Sequence, residues 1–217
     1  ESSIFITGNT AIDALRLTVQ EDYHHQVLDQ LDPQKKLVLV TMHRRENQGQ
    51  PMRAVFGALR EMVDAHPELE VVYPVHLSPA VQEAAKDILG EHDRIHLIAP
   101  LDVFDFHNLA SRSYFIMSDS GGVQEEAPSL GKPVLVLRDT TERPEGVKAG
   151  TLKLVGTDPE RVKEEMTALL TDPDLYQKMA SARNPYGDGK ASERIVQAIQ
   201  HYYGLVDSVS EFMEEEI

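Results

Sequence analysis

Short runs of apolar, often β-branched residues alternate along this chain with longer stretches in which apolar residues recur at a helical period. The short runs predict strands, and they are LVLVTM from Leu37, EVVYPV from Glu70, IHLIAP from Ile95, YFIMSD from Tyr114, PVLVL from Pro133 and LKLVG from Leu152. Helical spacing is clearest in MRAVFGALREMVDAH and PAVQEAAKDIL, and VKEEMTALL follows the last strand. The alternation is typical of βαβ units and predicts an α/β fold.

The predicted strands are apolar at consecutive positions and do not alternate with polar residues. A strand of this kind is buried on both faces, so we predict a doubly wound parallel sheet, Rossmann-like, with helices on each side. Ligands of such sheets bind beyond the carboxyl ends of the strands. The loops to search are therefore those that follow Met42, Val75, Pro100, Asp119 and Leu137.

The chain divides into three parts by pattern. Residues 1–32 precede the main alternation and are predicted to be a connector or hinge segment with a helix. Residues 33–204 form the Rossmann-like domain, which closes with the helix SERIVQAIQHYY and ends at Gly204. Residues 205–217 include EFMEEEI and are predicted to be a solvated acidic tail.

Composition and charge restrict the possible partners. The 217 residues are 41% hydrophobic and 26% charged, which is an ordinary globular mixture with enough apolar residues for a sizeable core. A net charge of −15 repels nucleic acids and acidic membranes. The apolar runs are too short to span a bilayer, no signal peptide pattern is present, and there are no cysteines. We therefore expect a cytoplasmic protein that binds neither nucleic acid nor membrane.

The strongest local signal is DSGGVQEE, directly after the strand YFIM. We call Ser120, Gly121 and Gly122 the glycine turn. A strand that bends through paired glycines into a helix presents free N–H groups and the positive end of the helix dipole to an anion. Glu126 lies about one helical turn beyond Gly122, where its carboxylate can accept hydrogen bonds from ribose hydroxyls. Taken alone, this segment is better explained as a tight turn in which Ser120 caps the helix.

Two further loops add candidate groups. Arg143, held extended before Pro144 at a predicted helix start, is placed to pair with a phosphate oxygen, although its loop also fits a set of mutually paired charges. His43 follows the first strand, where it can act as a general acid beside Arg44. His76 holds the equivalent place one strand later. Phe106 offers an aromatic face to a base, and each of these residues singly is also an ordinary loop or helix residue.

Other common nucleotide and metal motifs are missing. The sequence has no GxxxxGK[ST] loop and no GxGxxG after a strand, and GDGKAS at 187–192 is better explained as a turn and helix cap. His24 and His25, or His92 and His96, lack the spacing and partners of a metal site. We assign no metal.

Several ordered segments together carry a family resemblance. They are TGNTAIDAL, MHRREN, YPVHLSP, PLDVFDF, DSGGVQEEAPSLGKPVLVLRDTTERPEGVKAGT and NPYGDGKAS. In this order and spacing they resemble the non-hydrolysing UDP-N-acetylglucosamine 2-epimerases of bacteria and archaea, nearly from end to end. The resemblance implies one half of a glycosyltransferase-B-like enzyme with two Rossmann-like domains and, in the full-length enzyme, a homodimer. It also implies interconversion of UDP-GlcNAc and UDP-ManNAc by elimination and re-addition of UDP, with no nicotinamide or metal.

The resemblance assigns roles by motif position. It implies that the glycine turn grips the diphosphate, Arg143 contacts a phosphate, Glu126 the ribose and Phe106 the uracil. His43 resembles the active-site histidine, which assists departure of the diphosphate. Arg44 and His76 match positions that contact a second, regulatory UDP-GlcNAc in bacterial members.

The chain resembles only the second domain of these enzymes. The first domain supplies the lysine and carboxylates for proton transfer, so we expect the 217 residues alone to bind UDP weakly and not to epimerise. Within enzymes, a hydrolysing 2-epimerase or a related glycosyltransferase is the alternative. Outside enzymes, the alternative is a nucleotide-sugar sensor or a subunit completed by a separately encoded partner.

Overall fold

The computed structural model describes residues 4–212. The predicted strands are all present, as β1 (Lys36–Thr41), β2 (Leu69–Pro74), β3 (Ile95–Ile98), β4 (Phe115–Ser118), β5 (Val134–Val136) and β6 (Leu152–Leu154). They form one parallel sheet in the order β3-β2-β1-β4-β5-β6. The predicted doubly wound sheet is therefore confirmed.

Strand order reverses between β1 and β4, which are neighbours in the sheet although Val38 and its partner Phe115 are far apart in the chain. This reversal, which we call the switch point, leaves the loops after β1 and β4 side by side at the carboxyl edge of the sheet. Ligands of open α/β sheets bind at such a position.

The helices cover both faces of this sheet. Their bounds are α1 (Thr10–Thr18), α2 (Gln50–Ala65), α3 (Pro79–Leu89), α4 (Val103–Arg112), α5 (Gly121–Glu126), α6 (Pro144–Ala149), α7 (Pro159–Thr171), α8 (Pro173–Ala180) and α9 (Ala191–Tyr202). Two of them, α7 and α8, begin at a proline that follows a capping aspartate: Asp158 accepts a hydrogen bond from the N–H of Arg161, and Asp172 accepts one from the N–H of Leu175. Proline has no N–H to leave unpaired in the first turn, so this pairing fixes where the helix starts.

The core has two parts, one on each side of the sheet. In β1, Val38 and Val40 pack into the cluster beneath α2, α3 and α7, whereas Leu37 and Leu39 point to the opposite face, beneath α4 and α5. This alternation follows from the two-residue period of a strand. Each fully buried aliphatic side chain stabilises the fold by about 1.5 to 3 kcal/mol, so the sheet is a rigid base for its loops.

The two ends of the described chain meet at Arg194 of α9. Its guanidinium donates to the carbonyl of Thr7 and to the carboxylate of Asp188, and it lies 5.7 Å from the ring of Phe212. Phe212 is buried, and its N–H donates to the carbonyl of Ile6. The prediction of a solvated tail is therefore wrong at Phe212, because its aromatic ring packs against Gly8 and the guanidinium of Arg194.

The rest of that acidic tail, residues 213–217, lies outside the described residues, as do residues 1–3. The predicted connector contains α1, which packs against α4, α5 and α9. The division of the chain at residues 32 and 204 stays a prediction. In residues 4–212, no helix is long and apolar enough to cross a membrane.

Candidate functional site

The switch point is held together by hydrogen bonds between β1 and β4. The hydroxyls of Thr41 and Ser118 lie 2.7 Å apart, and the Ser118 hydroxyl also accepts from the N–H of Ser120 at 3.0 Å. The N–H of Asp119 donates to the carbonyl of Thr41. These contacts fix the entry to the glycine turn relative to the end of β1.

Asp119 organises the loop that carries His43. Its fully buried carboxylate accepts from the N–H of His43 at 3.0 Å, the N–H of Arg44 at 2.8 Å and the side-chain amide of Asn47 at 3.0 Å. Nδ1 of His43 lies 3.5 Å from the same carboxylate. A buried carboxylate is stable when several donors surround it, so Asp119 holds the loop after β1 against the glycine turn.

Sequence reasoning placed Asp119 at the start of a ligand-binding loop without giving it a role. Its position directly after a buried strand was the available signal, but its partners lie more than 70 residues away in the sequence. Tyr73 supports the same loop, because its hydroxyl donates to the carbonyl of Met42 at 2.6 Å. Burial, and then the charge of Asp119, raise the pKa of Tyr73 well above its ordinary value, so this hydroxyl remains a donor.

His43 and His76 are brought together. Their rings stack with centroids 5.5 Å apart and an angle of 13° between the planes. The N–H of Ser78 donates to Nδ1 of His76, which orients that ring from the loop after β2. The two predicted histidines therefore form one surface at the carboxyl edge of the sheet.

Arg143 lies directly over the glycine turn. A Cβ atom added to Gly121 would lie 2.9 Å from Cζ of Arg143, closer than such atoms approach in proteins. Nε of Arg143 donates to the carboxylate of Glu125 at 2.8 Å, which fixes the guanidinium. The first N–H groups of α5 have no acceptor within the helix, so the turn and the guanidinium together present donors to an anion.

The loop that carries Arg143 is itself held in place. The N–H of Arg143 donates to the hydroxyl of Thr141, and that hydroxyl donates to the side chain of Gln124 in α5. The hydroxyl of Tyr186 accepts from the N–H of Gly146 and donates to the carbonyl of Arg143. Burial raises the pKa of Tyr186 to about 12, so it keeps its proton.

Mutually paired charges account for part of this loop, as the alternative interpretation expected. Arg138 makes a two-pronged contact with Glu142, at 2.6 and 2.9 Å, and its Nε donates to Glu46. This hydrogen bond with Arg138 lowers the pKa of Glu142 to about 2. Arg44 lies 3.7 Å from Glu142 and 3.9 Å from Glu46, so it belongs to this charged cluster.

Glu126 closes the far side of the glycine turn. A Cβ atom added to Gly122 would lie 4.0 Å from both Oε1 of Glu126 and the Ser120 hydroxyl, so these two polar atoms flank the turn. Phe106, on α4, is half-buried and packs against the core cluster that contains Val136. The next residue, His107, contacts Glu126, which places α4 beside this end of the site.

A groove of about 1040 Å³ adjoins these residues, and Asn9, Glu125, Glu145 and Tyr186 contribute to its lining. The side-chain amide of Asn9 donates to Glu125 at 2.6 Å, and Glu125 also binds Arg143, so the groove borders the Arg143–Glu125 ion pair. Neither Asn9 nor Glu125 was assigned a role from the sequence. Within residues 4–212, there is no group of three or more side chains suited to hold a metal ion.

A doubly wound parallel sheet with a glycine turn and an arginine at its switch point defines an α/β domain of the Rossmann-like class. The chain belongs to the UDP-N-acetylglucosamine 2-epimerase family, whose family model matches residues 1–200. The resemblance found in the sequence is thereby confirmed.

Relatives and solved structures agree with this assignment. The UDP-N-acetylglucosamine 2-epimerase of Bacillus subtilis (strain 168) is 62% identical over 93% of this chain and 53% of its own length. The S. aureus MnaA structure with UDP is 52% identical with a TM-score of 0.93, over 99% of this chain and 58% of that one. The Neisseria meningitidis UDP-GlcNAc 2-epimerase bound to UDP-GlcNAc is 44% identical with a TM-score of 0.83, over 90% and 54%.

The chain spans about half the length of the relatives it matches. A more distant similarity shows the fold alone. The C-terminal domain of a glycosyl transferase group 1 family protein from Francisella tularensis is 14% identical with a TM-score of 0.56, over 87% of this chain and 97% of that one. The chain therefore has the fold of one half of a glycosyltransferase-B-like enzyme.

Proposed function

We propose that this chain is the UDP-binding half of a UDP-N-acetylglucosamine 2-epimerase of the non-hydrolysing type. The observation that carries the proposal is the position of the Arg143 guanidinium against Gly121 at the switch point. Family membership supports it, as do the S. aureus structure with UDP and the Neisseria structure with UDP-GlcNAc.

The proposed binding mode follows from the donors at the site. The N–H groups of the glycine turn and the guanidinium of Arg143 hold the diphosphate, and Glu126 accepts hydrogen bonds from the ribose. Phe106 lies on the uracil side. Arg44 and His76 are proposed to contact a second, regulatory nucleotide sugar, and both lie beside His43 or its loop.

The same donors serve the chemical step. When the bond between the sugar and the diphosphate breaks, negative charge develops on the departing UDP. Fixed N–H groups and a guanidinium stabilise that charge without reorganising. His43, whose loop is held by Asp119, is proposed to assist the departure as a general acid.

Removal and return of the proton at C2 require further groups. We propose that the half of the enzyme not represented by this chain supplies them, and that the full-length enzyme is a homodimer in the cytoplasm. The isolated chain is then expected to bind UDP weakly and to leave UDP-GlcNAc unchanged. Appearance of UDP-ManNAc in an NMR assay with this chain would contradict that expectation.

Binding is tested by calorimetry with UDP. Ser120→Ala and Arg143→Ala are each expected to weaken binding by about 1 to 3 kcal/mol, because each removes a hydrogen bond to a charged group. Lys178→Ala, which removes an exposed cation from α8, is the matched control and is expected to bind as the unaltered chain does. Unchanged affinity in both test variants would show that the proposed site is wrong.

A further inference from the structure

A buried histidine connects α1 with the proposed ribose contact. His107 of α4 is 2% exposed and lies between two side chains. Its Nδ1 is 2.7 Å from the hydroxyl of Thr18 at the end of α1, and its Nε2 is 3.3 Å from Oε2 of Glu126 at the end of α5. The function proposed above gives no role to His107 or Thr18.

The contacts of His107 with Thr18 and Glu126 indicate which of its ring nitrogens carries a proton. The hydroxyl of Thr18 has one hydrogen but two possible acceptors, the carbonyl of Ala14 at 3.0 Å and Nδ1 of His107 at 2.7 Å. If it donates to His107, the neutral ring carries its proton on Nε2. If it donates to Ala14, Nδ1 is the donor in the contact with Thr18, and the neutral ring carries its proton there. Because a carboxylate only accepts hydrogen bonds, the 3.3 Å contact between Nε2 and Glu126 favours the first arrangement, in which Nε2 is the donor.

The two oxygens of Glu126 consequently have different surroundings. Oε2 is held by His107, whereas Oε1 faces the glycine turn, 4.0 Å from the position that a Cβ atom of Gly122 would take. A carboxylate fixed on one side loses less freedom when its other oxygen binds a ligand. His107 therefore prepares Glu126 to accept a hydrogen bond from the site.

We propose that His107 is a positioning residue, braced by Thr18, which fixes Glu126 so that the site selects nucleotides with intact ribose hydroxyls. This inference rests on the proposed UDP site. A deoxyribose ligand would leave the fixed carboxylate facing the site without a donor. Sites built to bind a hydroxyl reject analogues that lack it.

The test compares UDP with 2′-deoxy-UDP and 3′-deoxy-UDP by calorimetry, with inorganic pyrophosphate as the control ligand. The unaltered chain is expected to prefer UDP over at least one deoxy analogue by about tenfold or more, the effect of one hydrogen bond to a charged group. His107→Ala is expected to reduce that preference to about threefold or less, while pyrophosphate binding stays unchanged. His107→Gln, whose amide can still donate to Glu126, is expected to restore it.

The outcomes separate this inference from the function on which it rests. If UDP does not bind to the unaltered chain, the proposed function fails and this inference fails with it. If UDP binds and His107→Ala keeps the full preference, only the inference is overturned. A nitrogen-resolved NMR spectrum of the unaltered chain needs no substitution: a protonated Nε2 on His107 supports the proposal, and a bare Nε2 overturns it.

Discussion

Replacement of Gly121 by alanine tests the link between the glycine turn and Arg143. The added methyl group would lie 2.9 Å from Cζ of Arg143 and 3.1 and 3.2 Å from its two terminal nitrogens. These atoms belong to the end of a flexible side chain, so the guanidinium is expected to move and the backbone to stay. Its contact with Glu125 at 2.8 Å is expected to break or lengthen.

The effects on folding and on binding are expected to differ. Alanine is favoured over glycine in a helix by up to about 1 kcal/mol, which offsets the loss of the partly buried Arg143–Glu125 ion pair, worth about the same. Stability therefore changes little. Binding of UDP loses the guanidinium contact and is expected to weaken by about 1 to 3 kcal/mol, or roughly fivefold to 150-fold.

Urea unfolding and calorimetry with UDP measure the two effects separately. Gly57→Ala, in α2, is the matched control, since a Cβ atom there meets nothing within 4 Å. It is expected to stabilise the fold slightly and leave UDP affinity as it was. If Gly121→Ala folds normally and binds UDP within about twofold of the unaltered chain, well under the effect of one charged hydrogen bond, the reasoning is refuted.

Three further predictions concern groups around the site and the chain ends. Asp119→Ala is expected to lower the free energy of unfolding by about 3 kcal/mol or more, because it strands the buried donors that face the carboxylate, and an unchanged urea midpoint would contradict this. At the chain ends, the hydrogen bond between Asp188 and Arg194 lowers the pKa of Asp188 to about 2. The Asp188–Arg194 pair therefore stabilises the fold at pH values above the ordinary carboxyl pKa, and this stabilisation is lost as the pH falls toward 2. Asp188→Asn is expected to lower the free energy of unfolding at pH 7 by about 1 kcal/mol after solvent screening. It should also make the free energy of unfolding fall less steeply with decreasing pH, and an unchanged acid profile would contradict this. Tyr186→Phe removes two hydrogen bonds at the Arg143 loop and is expected to lower thermal stability by about 1 to 2 kcal/mol, which an unaltered melting temperature would disprove.

The elements of the fold were predictable because their signals are local. Val38 to Val40 and Phe115 to Met117 are apolar at every position, which is what a strand covered on both faces requires. Arg143 before Pro144 marked the start of α6, and the structure places the helix there. Because ligands of open α/β sheets bind beyond the carboxyl ends of the strands, the order of the strands was enough to predict which loops lie at the site, without any knowledge of side-chain contacts.

The contacts that organise the site were not predictable in this way. Asp119 binds the loop of His43, and His107 binds Thr18 across 89 positions of sequence. Such partners are chosen by the packing of the whole domain, and no local period or motif reveals them. The prediction for Phe212 was wrong for the same reason: its acidic neighbours in the sequence indicated an exposed tail, whereas its ring packs beside Gly8 and Arg194.

A crystal structure of this chain with UDP tests the central claim most directly. We predict that the diphosphate lies on the N–H groups of Gly121 and Gly122, with the guanidinium of Arg143 in contact with a phosphate oxygen. Nucleotide bound elsewhere on the domain, with Arg143 still paired to Glu125 and away from any phosphate, would contradict the account.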